Sequence, residues 1–169
     1  MLTQNISFKN FLIKKKILFT KKNLNLILNE KNQLIRSLSK SYKDSFSKKN
    51  TKHFNKKFDY RIIGMGGSTL GAQAIYDFLK KKIKKKFTFV DNLNAFENKK
   101  INKNLNNLII SKSGNTTETI VNANILIKKK DKNLFITEKK ESYLSLLAQK
   151  LKAEVVDHNN YIGGRYSVL

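Results

Sequence analysis

The chain has 169 residues, with 35 Lys+Arg against 12 Asp+Glu for a formal net charge of +23, and it contains no cysteine, proline or tryptophan. Without cysteine there is neither a disulfide framework nor a thiolate metal site, and a reducing, cytoplasmic setting is expected. No apolar run approaches bilayer length, and Lys14, Lys15 and Lys16 interrupt the first twenty residues where a signal peptide would stay apolar. The charge invites a nucleic-acid reading, yet Arg36, Arg61 and Arg165 are the only guanidinium forks. The lysines are spread along the chain, with runs at expected helix ends. No specific nucleic acid and no membrane are expected as partners. Non-specific polyanion binding at low salt is expected as a side effect of the charge.

Residues 1–58 lack the strand–glycine–helix rhythm of the remainder. Leu24, Ile27, Leu28, Leu34, Ile35 and Leu38 recur at helical spacing and predict one amphipathic helix of about four turns. A polar, lysine-rich stretch from Tyr42 to Lys57 follows and reads as a linker or a second short helix. From Tyr60 the rhythm changes. Tyr60 to Met65 reads as an apolar strand, Gly66-Gly67-Ser68 as a turn, and residues 69–82 as a helix with Leu70, Ala74, Ile75, Phe78 and Leu79 turned inward. Phe87 to Val90 is the second strand and Leu108 to Ile110 the third, followed by a helix over 117–130. Leu134 to Thr137 is the fourth, followed by a helix over 143–151, and Glu154 to Asp157 is the fifth. Apolar strands alternating with helices predict an α/β fold, a parallel five-stranded sheet covered on both faces, preceded by an N-terminal helical segment. The expected division is 1–58 for that segment and its linker and 59–169 for the α/β domain.

Two corners of this pattern carry chemistry. The stretch Ser111-Lys112-Ser113-Gly114-Asn115-Thr116 joins a buried strand to a helix. A helix start presents unpaired backbone N–H groups and partial positive charge, so hydroxyls placed there make an anion site, and a glycine lets the backbone approach the ligand. The same residues would also serve as an ordinary helix cap. The second corner, Gly64-Met65-Gly66-Gly67-Ser68-Thr69-Leu70-Gly71, fails the dinucleotide fingerprint G-x-G-x-x-G. The frame from Gly64 lacks its third glycine and the frame from Gly66 its middle one. No nicotinamide cofactor is expected, and the glycines would equally serve close helix–strand packing.

Three motifs together, Ile63 to Gly71, Ile110 to Glu118 and Gly163-Gly164-Arg165-Tyr166-Ser167, resemble the glucose-6-phosphate isomerase family in order and approximate spacing. The resemblance covers roughly residues 60–169, the first sugar-isomerase (SIS) domain. It implies a flavodoxin-like, three-layer domain, glucose 6-phosphate and fructose 6-phosphate as substrates, no cofactor or metal, and a homodimer for the full-length enzyme. Position by position it puts Gly67 and Ser68 on the sugar, and Ser111, Lys112 (mainly through its backbone), Ser113, Gly114, Asn115 and Thr116 in the phosphate loop. It puts Arg165 beside the reacting carbons. Asn115 stands where many members of the family have threonine.

Isomerisation through an enediolate also needs a proton carrier. In the family the base glutamate, the ring-opening histidine and a lysine lie beyond the arginine motif, so the chain is expected to be an N-terminal fragment, inactive alone. His158 precedes the motif and reads as a strand-end structural or solvent-facing histidine. The other readings are a non-catalytic SIS regulator, which the Gly-Gly-Arg-Tyr-Ser motif opposes, and a basic nucleic-acid-binding protein, which the diffuse charge opposes.

Overall fold

The computed structural model describes residues 17–43, 58–93 and 105–163. The chain divides into two compact units, Met1–Lys43 and Asp44–Leu169. In the first, α1 (Ile17–Leu28) and α2 (Gln33–Ser37) replace the single four-turn helix read from the sequence. The break falls in the polar run Asn29-Glu30-Lys31-Asn32. Asn32 opens α2 in extended conformation, and its side-chain oxygen accepts from the N–H of Leu34 at 2.9 Å. A side chain that caps a new helix cannot also continue the old one. The greater part of the linker from Tyr42 to Lys57 lies outside the described residues.

The second unit is one parallel sheet of five strands: β1 (Asp59–Ile63), β2 (Phe87–Val90), β3 (Leu105–Ile110), β4 (Lys132–Thr137) and β5 (Glu154–Asp157). Their spatial order is β2-β1-β3-β4-β5, the flavodoxin-like order. Helices α3 (Gly67–Leu79), α4 (Thr117–Leu126) and α5 (Tyr143–Leu151) connect them.

The register shows which face each helix covers. Tyr60 pairs with Phe87 and Ile62 with Phe89, which puts these four on one face. Tyr76 of α3 packs there against Phe87 and Phe89, with ring centroids 5.1 and 6.0 Å away, and Tyr60 stacks on Phe87 at 4.9 Å. Ile63, Ile109 and Phe135 are register partners on successive strands and share the other face. There they form the core with Ala123 and Leu126 of α4 and Leu144 and Ala148 of α5. Helices therefore cover both faces, as expected.

Several details depart from the sequence reading: β1 ends at Ile63 rather than Met65, and α4 at Leu126 rather than residue 130. Helix α3 turns Thr69 inward and half-buries Gln73, Tyr76 and Leu79, while Leu70, Ile75 and Phe78 are exposed, Phe78 at 88%. The apolar count favoured the Leu70–Phe78 stripe; the aromatic contact of Tyr76 with β2 fixes the opposite rotation. Strands β3 and β4 also begin earlier than Leu108 and Leu134, because the buried asparagines Asn106, Asn107 and Asn133 near their starts belong to the sheet. Asn107 Nδ2 donates to Asn133 Oδ1 at 2.8 Å, and Asn133 Nδ2 donates to the Lys128 carbonyl at 3.0 Å. Beside them Arg61, 6% exposed, donates through NH1 to the Leu126 carbonyl at 3.0 Å, tying β1 to the end of α4. Burial lowers the Arg61 pKa and nearby Asp131 opposes that shift; a guanidinium starts so far above neutrality that it stays charged.

Candidate active site

In this strand order the chain reverses direction between β1 and β3, and ligands of such sheets bind at that point, beyond the carboxyl ends of the strands. Both glycine-containing corners stand there. At the end of β1, a Cβ on Gly64 would lie 2.9 Å from the Ile110 carbonyl oxygen, so this glycine lets the corner press against β3. Gly66 has φ +56° with open space around it and makes the turn into α3. Gly67 is then the first residue of α3, with Ser68 after it.

At the end of β3, the N–H of Ser111 donates to the Ile136 carbonyl at 3.1 Å, which carries the sheet one residue beyond the strand. Ser111 Oγ and Thr116 Oγ1 share a hydrogen bond of 2.9 Å across the loop, and Ser113 Oγ accepts from the N–H of Asn115 at 3.2 Å. No side chain caps the start of α4, and Glu118 lies in its first turn. Gly114 has φ +68° and sits under Ser142: a Cβ there would overlap Ser142 Oγ and come 2.9 Å from Thr137 Oγ1. The Asn115 side-chain oxygen accepts from the N–H of Tyr143 at 2.9 Å, at the start of α5.

The two corners face one open cleft of about 610 Å³, lined by Met65, Gly67, Ser68, Lys112, Ser113, Thr116, Glu138 and Lys140. Glu138 sits between two ammonium groups, 2.6 Å from Lys140 Nζ and 3.5 Å from Lys112 Nζ. These lysines, the Lys140 hydrogen bond foremost, hold its carboxyl below the usual range. Lys112 Nζ also donates to the Asn160 carbonyl at 2.7 Å. The cleft thus offers hydroxyls, the start of a helix and two cations around a carboxylate, a donor set suited to a small anion.

Of the residues singled out from the sequence, Gly67, Ser68, Lys112, Ser113 and Thr116 line this cleft. Ser111, 2% exposed, stands behind Thr116 as its hydrogen-bond partner, and Gly114 and Asn115 shape the loop against α5. Arg165 lies outside the described residues, as does its motif after Gly163. His158 is buried. Its backbone N–H donates to the Thr137 carbonyl at 2.9 Å, and its ring Nδ1 lies 3.1 Å from the Asn159 carbonyl, which only accepts, so Nδ1 carries the proton. The structural reading of this histidine holds and the solvent-facing one does not. Glu138 and Lys140 escaped notice in the sequence. The available signal was position, because Thr137-Glu138-Lys139-Lys140 leaves β4 at the same rim as the other two corners.

Over residues 14–169 the chain matches the family described as Phosphoglucose isomerase. It is 36% identical over 132 residues to a glucose-6-phosphate isomerase of Mycoplasma genitalium, covering 66% of this chain and 30% of that protein. To the enzyme of that name from Methanocaldococcus jannaschii it is 38% identical over 120 residues, covering 63% and 29%. To that of Borrelia garinii it is 32% identical over 123 residues, covering 62% and 23%. The chain spans between 23% and 30% of the length of these relatives. Among solved structures, the tagatose-6-phosphate ketose/aldose isomerase of Escherichia coli is similar with a TM-score of 0.53 and 18% identity over 69% of this chain and 35% of that one. A hypothetical protein of Thermus thermophilus is similar with a TM-score of 0.55 and 23% identity, covering 65% and 30%. These two share the fold. On the family match over residues 14–169, the chain belongs to the phosphoglucose isomerase family.

Proposed function

We propose that this chain is the phosphate-holding part of an aldose–ketose isomerase that interconverts glucose 6-phosphate and fructose 6-phosphate. The observation that carries the reading is that Ser68 of one corner and Ser113 and Thr116 of the other line a single cleft at the reversal point of the sheet. In this reading the phosphate accepts from Ser113, Thr116 and the first N–H groups of α4, while Gly67 and Ser68 meet the sugar. Ser111 holds Thr116 in place, and Gly114 and Asn115 hold the loop. The phosphate contacts do no chemistry; they fix the sugar so that binding energy is spent at its other end.

Proton removal next to the carbonyl sends an electron pair onto the carbonyl oxygen and gives an enediolate, and the proton returns to the neighbouring carbon. Arg165 has the permanent charge to stabilise that oxygen. We read residues 59–169 as the first of two SIS domains, preceded by a helical segment over 1–58. The base glutamate, histidine and lysine would come from the second domain, and the whole enzyme would be a cytoplasmic homodimer without a cofactor. The short coverage of the curated relatives supports the two-domain reading.

The test is a pair of assays on the 169-residue chain and on a form extended by the coding sequence after Leu169. Both should bind fructose 6-phosphate, and only the longer should turn it over. A longer form that binds without turnover would favour a regulator, and binding by neither would end the proposal.

A further inference from the structure

The third corner of the rim has no role in the reading above. Thr137 ends β4, and the segment after it is fixed on two sides. The N–H of Glu138 donates to the Lys112 carbonyl at 3.1 Å, which ties it to the phosphate loop. The N–H of Lys139 donates to Asp157 Oδ1 at 3.1 Å, which ties it to the end of β5. This anchored segment puts Glu138 and Lys140 on the wall of the cleft that Ser68, Ser113 and Thr116 also line.

A carboxylate beside an anion site is at first sight the wrong charge. Here it is covered by two ammonium groups, and the two are not equivalent. Lys112 is shared between Glu138 and the Asn160 carbonyl and is half-buried, with 28% of its side chain exposed. Lys140 has a side chain 52% exposed and lies 2.6 Å from Glu138. The Glu138 side chain is only 12% exposed, but Lys140 on its flexible stem is half in solvent and Lys112 stays beside the carboxylate, so Lys140 can change partner at modest cost. A phosphate dianion is the stronger competitor for that ammonium.

We propose that Lys140 is a ligand of the substrate phosphate, held in reserve by Glu138, which occupies its ammonium until the phosphate enters the cleft. The proposal rests on the reading of the cleft as a sugar-phosphate site and adds a residue to it. Glu138 then sets affinity. It competes for the lysine and its charge opposes the incoming phosphate, so bound sugar phosphate is released more readily than a cleft of bare cations would allow.

The test is calorimetric titration of the 169-residue chain with fructose 6-phosphate and with inorganic phosphate. Glu138→Gln keeps the side chain's shape and removes its charge, and it should tighten both ligands about five- to tenfold. Lys140→Gln in the Glu138→Gln background should then weaken both about fivefold or more, and Lys140→Arg should restore most of the loss. If Lys140 only neutralised Glu138, its removal in that background would change nothing, and the proposal would be overturned. A chain that binds both ligands, loses them with Ser113→Ala and ignores every Glu138 and Lys140 variant would also overturn it, leaving the site intact. A wild-type chain that binds neither ligand would overturn the reading of the cleft itself.

Discussion

The side-chain oxygen of Asn115 accepts a hydrogen bond from the backbone N–H of Tyr143 at 2.9 Å, so the loop after β3 is stapled to the start of α5. The N–H of Leu144 adds a second tie, donating to the Gly114 carbonyl at 3.1 Å. Asn115 therefore serves the loop's shape, and the cleft wall passes to Ser113 and Thr116 on either side of it. Asn115→Ala should lower stability by about 1 kcal/mol, the net worth of one such bond, and change fructose 6-phosphate affinity less than about threefold. Thermal melting and calorimetry on the same variant check both figures.

The positive-φ glycines of the two corners should respond differently to alanine. Gly66, with φ +56° and ψ −123°, lies where only glycine enters readily, so Gly66→Ala should cost about 1–3 kcal/mol from the backbone alone, since a Cβ there meets nothing within 4 Å. Gly114→Ala adds an overlap with Ser142 to the cost of its own positive φ and should cost more, about 4 kcal/mol or above. Denaturant unfolding of the two variants, compared directly, measures the difference. Equal losses would mean that the Ser142 contact is not as tight as described.

Arg61 is buried with its guanidinium on the Leu126 carbonyl and Asp131 nearby. Arg61→Ala should lower stability by about 2–4 kcal/mol, because it takes the guanidinium from the buried Leu126 carbonyl and removes the packing of the stem, while Asp131 keeps the N–H of Lys128 and Asn107 Nδ2. Arg61→Met keeps the stem's packing and should cost less. Urea midpoints at neutral pH separate the packing loss from the charge loss.

Glu138 provides a pH signature. Its carboxyl is held below the usual range by Lys140 first and by Lys112 as well, so the folded chain binds its proton less readily than the unfolded chain does. That favours folding at pH values above the ordinary carboxylate range. The contribution is lost as pH falls through the depressed folded value. Glu138→Gln should therefore flatten the acid limb of the stability curve while changing neutral-pH stability by about 1 kcal/mol or less. An unchanged acid limb would show that the carboxylate is not paired in solution.

Much of this architecture is legible in the residues. The run Phe87–Val90 marks β2, the run Tyr60–Met65 marks β1 and overshoots its end by two residues, and the helix expected over 143–151 is α5. What escapes is whatever depends on a partner distant in sequence. Asn107 and Asn133 look like loop residues until Asn107 Nδ2 donates to Asn133 Oδ1 across β3 and β4. The rotation of α3 is decided by Tyr76 meeting Phe87, not by where its leucine and isoleucine residues fall. The candidate site divides the same way. Its hydroxyls and glycines follow from local strand-to-helix turns, whereas Glu138 and Lys140 enter only because β4 lies beside β3 in the sheet.

The central claim is that the corner after β1 and the corner after β3 close on one phosphorylated sugar. Titrating the isotopically labelled chain with fructose 6-phosphate and following its backbone amide resonances tests this most directly. Gly67, Ser68, Ser113 and Thr116 should shift together along one saturating curve. Shifts confined to one corner, or centred on Lys129 and Lys152 at the opposite end of the sheet, would contradict it.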